Sequence, residues 1–220
     1  MNERLAAGLD PNTHLLIPQS GRHLSLLELS LLAANDKAGE ALLLAGAEPD
    51  DESQLLGTPL ELAAQQGMLR TLKFLVNQDP MRLSTSPSPP LLLAVGNQHM
   101  EVVRFLLQRS DDYVRDGPWQ TLLDDSLQVA VSTYSESSLG IVVELVSAGA
   151  NPTIQPTLVE AAAKCSPRLV ELLIAAGAGP TMQSNEKSPA ELALACLKND
   201  DTKGQPFCST STRPASSYVI

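Results

Sequence analysis

"LVSAGANPT" from Leu145 to Thr153 and "LIAAGAGPT" from Leu173 to Thr181 say nearly the same thing twice. In each, an apolar run reaches a glycine and, three residues later, a proline. Looser copies stand at "AAGLDPN" (Ala6 to Asn12) and "LAGAEPD" (Leu44 to Asp50). This is the signature of a helix ending. Glycine adopts the left-handed conformation that closes a helix C-terminus, and a proline beyond it cannot continue the hydrogen bonding.

A second recurrent stretch opens helices, at "GTPLELAAQQG" (Gly57 to Gly67), "KSPAELALAC" (Lys187 to Cys196) and "PPLLLAVGN" (Pro89 to Asn97). Thr58 and Ser188 suit the capping position, and Pro59 and Pro189 suit the first turn, where a missing N–H does no harm. Taking Ser25, Thr58, Pro89, Asp125, Pro156 and Ser188 as equivalent starts gives a period of about 33 residues. Stops at Gly46, Asp79, Ser110, Gly149 and Gly177 alternate with these starts. Each unit then holds two short helices, with Leu60, Leu62, Ala63, Leu72, Leu75 and Val76 as apolar positions in one of them. Neither helix is stable alone, so neighbouring units must stack to share one core. Leu75 and Leu172 are read as core positions, and Gly177 as a helix stop.

Composition agrees with packed helices. Of the 220 residues 43% are hydrophobic, mostly Leu, Ala and Val, and only 3% are aromatic. The net charge of −10 repels a phosphate backbone, which disfavours nucleic acid as a partner. No stretch reaches the roughly 18 apolar residues of a membrane span, and the N-terminus lacks a signal-peptide core. The three cysteines, Cys165, Cys196 and Cys208, have no metal-type spacing and point to a reducing, cytoplasmic setting. Residues 1–198 form the repeat domain; residues 199–220, rich in Ser, Thr and Pro, are read as a flexible tail.

No catalytic constellation emerges. His14, His23 and His99 fall on expected loops or turns without a nucleophile at a recognisable spacing. The glycines are explained as helix stops rather than phosphate cradles. Asp50-Asp51-Glu52 and Asp124-Asp125 read as solvated loop tips rather than calcium loops. The expectation is a protein that is not an enzyme and has neither cofactor nor metal.

These units resemble the ankyrin repeat family, whose pattern runs roughly T-P-L-x-x-A-A, a glycine turn, then V-V-x-L-L-L-x-x-G-A. The likeness is carried by Thr58 to Ala64 with Gly67, by Val102 to Leu107, and by Leu169 to Leu173 with Gly177-Ala178. It implies an all-α fold, an ankyrin-like solenoid of stacked helix-turn-helix repeats, with about five to six units including caps. Two departures stand out. The family's histidine after T-P-L is replaced by Glu61, Leu92 and Glu191. The unit near Asp125 to Gly149 is irregular, with "STYSESSLG" in place of a short turn and a second helix that reads one residue short.

The resemblance also implies function: a non-catalytic module, monomeric by itself, that holds a protein partner on loop tips and exposed first-helix ends. Carried over, the contact positions are Gln54, Leu55, Gly57, Gln65, Gln66, Asn97 and Lys164. The long stretch Ser110 to Asp125, read as a loop, adds Tyr113 and the only tryptophan, Trp119, as aromatic anchors. The competing reading for Trp119 is a plug between units. An inhibitor of another enzyme, or a microbial protein acting on host proteins, is the alternative to an adaptor or scaffold.

Overall fold

The chain's first described elements are strands. The computed structural model describes residues 10–17, 21–49, 57–86, 88–109, 118–135, 138–153, 161 and 166–178. Within them β1 (His14–Ile17) pairs antiparallel with β2 (Arg22–Ser25), His14 facing Ser25 and Ile17 facing Arg22. Gly21, at φ +67°, lies in the connecting turn. This hairpin precedes the helical units. It corrects the placement of His14 and His23, which lie in strands rather than on loops.

Ser25 and Thr58 then open helices as their side-chain chemistry demands. Ser25 Oγ accepts from Glu28 N–H at 3.1 Å, and Thr58 Oγ1 accepts from Glu61 N–H at 3.3 Å. The two glutamates reach back to accept the Ser25 and Thr58 N–H groups, at 2.7 and 3.0 Å. Such reciprocal caps satisfy donors that a helix start leaves orphaned. They begin α1 (Leu26–Leu32), which is followed by α2 (Asp36–Leu44), and α3 (Pro59–Gln65), which is followed by α4 (Leu69–Gln78). After a single turn, α5 (Arg82–Thr85), the pairing continues with α6 (Pro90–Gly96) and α7 (Met100–Gln108), then α8 (Pro118–Ser132) and α9 (Leu139–Ser147).

Within Met1–Ala150, first helices pack on first helices (α1, α3, α6, α8) and second on second (α2, α4, α7, α9). The shared core holds Leu31, Leu42, Leu60, Ala63, Leu72, Leu75, Val76, Leu91, Val103, Leu106, Leu127 and Leu145. Every apolar position read from the Thr58 unit is buried there. Gly39 permits a close helix approach: a Cβ on it would stand 2.5 Å from Thr71 Oγ1. Second helices also cap one another. Asp36 accepts from the backbone N–H groups of Arg70 (3.1 Å) and Thr71 (2.9 Å) and from the Thr71 hydroxyl (2.9 Å), at an α4 start that has no side-chain cap of its own.

The glycine stops are left-handed turns: Gly46 and Gly149 have φ of +92° and +100°. The next residue's N–H returns to the helix, Ala47 to Leu42 O at 2.9 Å and Ala150 to Leu145 O at 3.0 Å, and both alanines are buried. The stop expected at Asp79 needs no glycine, because Asp79 turns to extended backbone at φ −148° and ψ 96°.

Two sequence readings of the third and fourth units are corrected. Asp125 is not a start: α8 begins at Pro118, whose fixed φ suits a first turn. Its buried residues Leu123, Ser126, Leu127, Ala130 and Val131 follow helical spacing across Asp125. Asp124 and Asp125 are therefore helix residues, not loop tips. Nor is the following helix short, since α9 has 9 residues, as α7 does.

Residues 151–220 form a separate unit, within which α10 (Pro167–Ala175) is described. It ends at Gly177, φ +102°, with Ala178 N–H returning to Leu173 O at 2.9 Å. Leu169, Val170 and Leu173 are its buried face; Leu172 is only partly buried, which corrects its assignment to the core. The starts at Pro156 and Ser188, the three cysteines, Glu191, the N-terminal helix tail and the 199–220 segment lie outside the described residues. Among the described residues no helix is long and apolar enough to cross a membrane.

Candidate functional site

The exposed first-helix ends arise from one backbone event repeated three times. In α3, Ala63, Ala64 and Met68 are drawn into the core, so Gln65 and Gln66 on the last turn are left facing water. Gln66 is the C-cap, Gly67 turns left-handed at φ +71°, and Met68 N–H returns to Ala63 O at 2.8 Å. After α6 the same places are taken by Asn97, exposed as C-cap, by Gln98 at φ +61°, and by His99, whose N–H returns to Ala94 O at 2.9 Å. After α1 they are taken by Ala33, Ala34 at φ +50°, and Asn35.

These turns are tied across units, which holds the row in place. The His99 ring lies over Gly67, and its Nε2 is 2.9 Å from Gln65 O. A Cβ on Gly67 would stand 2.5 Å from His99 Nδ1, so close approach as well as φ requires glycine there. Gln98 donates to Thr133 O at 2.8 Å and accepts from Ser135 Oγ at 3.1 Å, linking the third closing turn to the fourth. Asn97 donates its amide to Leu93 O at 2.9 Å and remains exposed.

The structure thus brings together Gln65, Gln66 and Asn97 on neighbouring closing turns. It moves Trp119 from a loop to the first turn of α8, half-buried, beside the exposed Gln120. Pro118 and the buried stripe behind it extend the helix back over that residue. Gln54, Leu55, Tyr113 and Lys164 lie outside the described residues, while Gly57 adopts φ +86° just before Thr58. Gln98 was overlooked by sequence reasoning. The signal was available, because Gln98 occupies the register position of Gly67, where a longer side chain can span to the next unit.

The histidine-to-glutamate departure also resolves. Glu61 is buried, and besides capping Thr58 it accepts Ser88 N–H at 2.7 Å through Oε1. One carboxylate therefore joins the α3 start to the segment leading into α6. At the start of α6, where Leu92 replaces the acid, no side-chain cap is present.

Among the described residues, no group of three or more His, Cys, Asp or Glu could hold a metal ion. What the site offers is polar and aromatic surface on a hydrogen-bonded frame.

Comparison with known proteins fits this frame. A family profile described as ankyrin repeats (3 copies) matches residues 29–117. The chain is 30% identical over 183 residues to the ankyrin repeat and KH domain-containing protein mask-1 of Caenorhabditis elegans, a match that takes in 80% of this chain and 7% of that protein. The human ASB11 ankyrin repeat domain is similar in structure, with a TM-score of 0.65 at 22% identity over 93% of this chain and 92% of that one. An ankyrin repeat domain from Acinetobacter baumannii AYE gives a TM-score of 0.60 at 23% identity, over 81% and 95% of the respective chains. Residues 29–117 match the ankyrin repeat family in sequence, and the paired helices with left-handed closing turns have the fold of these ankyrin repeat structures.

Proposed function

We propose that the chain is a non-catalytic adaptor or scaffold that holds one protein partner along the closing turns of its first helices. Ankyrin repeats are in general protein–protein interaction modules. The observation that carries the reading is the row of Gln65, Gln66 and Asn97, exposed at corresponding places and braced by the His99 and Gln98 bridges. A prefolded surface loses less entropy on association than a flexible one, so more of its contact energy appears as affinity. Trp119, at the opposite end of α8 from the closing turn at Thr133, is a separate contact, and Gln54, Leu55, Tyr113 and Lys164 are further contacts in this proposal. The acidic net charge favours a partner with a basic face, met in the cytoplasm by a monomer of this chain.

The test is capture of a partner by the immobilised chain, identification by mass spectrometry, and titration against variants. Gln66→Arg combined with Asn97→Arg is expected to weaken binding at least tenfold, about 1.4 kcal/mol. Lys73→Ala on the second-helix side should leave it unchanged. Equal affinity for the row variant and the parent chain would reject the site.

A further inference from the structure

Five Ser-Pro or Thr-Pro pairs occur in the chain, at Thr58, Ser86, Ser88, Ser166 and Ser188. By sequence they are equivalent. The structure separates them. Thr58 Oγ1 is committed to capping Glu61 N–H. Ser86 is half-buried and donates its hydroxyl to Arg82 O at 2.7 Å. Ser166 stands as the N-cap of α10, with helix running on directly from Pro167. Ser188 lies outside the described residues.

Ser88 differs from the other three described. It is exposed, and its hydroxyl has no hydrogen-bond partner among the described residues. It stands between the end of α5 and the start of α6, and the following Pro89 is extended at φ −57° and ψ 122°. An exposed serine at a bend outside the helices, with an extended proline next, offers its hydroxyl to a proline-directed protein kinase. We infer that Ser88 is a phosphorylation site for a proline-directed serine kinase, and that its phosphate loosens the junction between α3 and α6. In the transfer, Ser88 Oγ forms a bond to the γ-phosphorus of ATP as the bond to ADP breaks, and the hydroxyl proton goes to the kinase's catalytic carboxylate.

The consequence follows from what surrounds Ser88. Its backbone N–H already donates to Glu61 Oε1 at 2.7 Å, so a group of about −1.5 to −2 charge arrives beside a buried carboxylate. A helix start would ordinarily welcome phosphate through its free N–H groups. Here Pro89 and Pro90 remove two of those donors and leave those of Leu91 and Leu92. In this proposal repulsion from Glu61, bonded to the Ser88 N–H itself, outweighs them.

The experiment treats the full chain with ATP and a purified proline-directed kinase, followed by peptide mass mapping and thermal melting. One phosphate is expected on Ser88, absent in Ser88→Ala and retained in Ser86→Ala. The phosphorylated chain should melt lower by about 2–4 °C, the shift that about 1 kcal/mol produces at this size. In Glu61→Gln, whose single amide oxygen can keep the Thr58 cap but not the Ser88 N–H bond as well, the starting melting point is lower, and the further fall on phosphorylation should disappear. Phosphate on Ser86 in preference to Ser88, or incorporation only after heat unfolding, overturns the site. An equal fall in Glu61→Gln overturns the coupling to Glu61.

Discussion

Glu61 and Ser126 show two opposite fates for a polar group in an apolar stack. Glu61 is only 6% exposed, yet its carboxylate accepts two backbone N–H groups from successive units, so its burial is matched by charge-assisted hydrogen bonds. Ser126 on α8 is fully buried, and its hydroxyl oxygen has no partner among the described residues. A buried hydroxyl without a partner costs on the order of 1–3 kcal/mol, and alanine also favours helix. Ser126→Ala should therefore stabilise the chain by about 1–2 kcal/mol, seen as a higher urea midpoint at unchanged slope. A lower midpoint would show that the hydroxyl is satisfied in solution.

At the scale of elements, the second helices depend on their neighbours for their starts. Asp36, in the first turn of α2, serves the second and third N–H groups of α4, which is the service an N-cap normally gives its own helix. Fully buried Thr71 donates its hydroxyl to the same carboxylate and to the Asp36 backbone oxygen at 3.2 Å. Asp36→Ala keeps that backbone acceptor and is expected to cost about 1 kcal/mol, the loss of a cap. Amide exchange at Arg70 and Thr71 should rise in step with that loss. Unchanged protection there would mean that water replaces the aspartate. The Glu40–Arg70 ion pair beside it, at 3.2 Å and half in water, adds little.

For the stacked part of the molecule, stability is approximately a sum over units and the faces between them. Leu75 sits fully buried on α4, which packs against α2 on one side and α7 on the other. Leu75→Ala should cost on the order of 2–5 kcal/mol, read from denaturant unfolding. Partner binding would then fall through unfolding of the braced row rather than through loss of a contact. A variant that binds normally while half unfolded would separate the site from the stack.

Much of this was legible in the chain itself. The capping residues Ser25 and Thr58, the left-handed stops at Gly46, Gly149 and Gly177, and the buried face of the Thr58 unit all follow from local backbone physics. A glycine at φ near +90° or a serine three residues ahead of a glutamate acts in the same way wherever it occurs. Exposure of Gln65, Gln66 and Asn97 was readable for the same reason, because the register of one helix fixes which residues leave its buried face. The start of α8 at Pro118, the strands at His14 and His23, the rescue of Glu61 by Ser88 N–H and the bridges from His99 and Gln98 were not. The strands pair locally but lack a strong alternating pattern; the others depend on groups about 30 residues apart in the chain, or on which of two apolar registers the neighbouring helices accept. Distance along a sequence carries no energy; only stacking brought those donors and acceptors within reach.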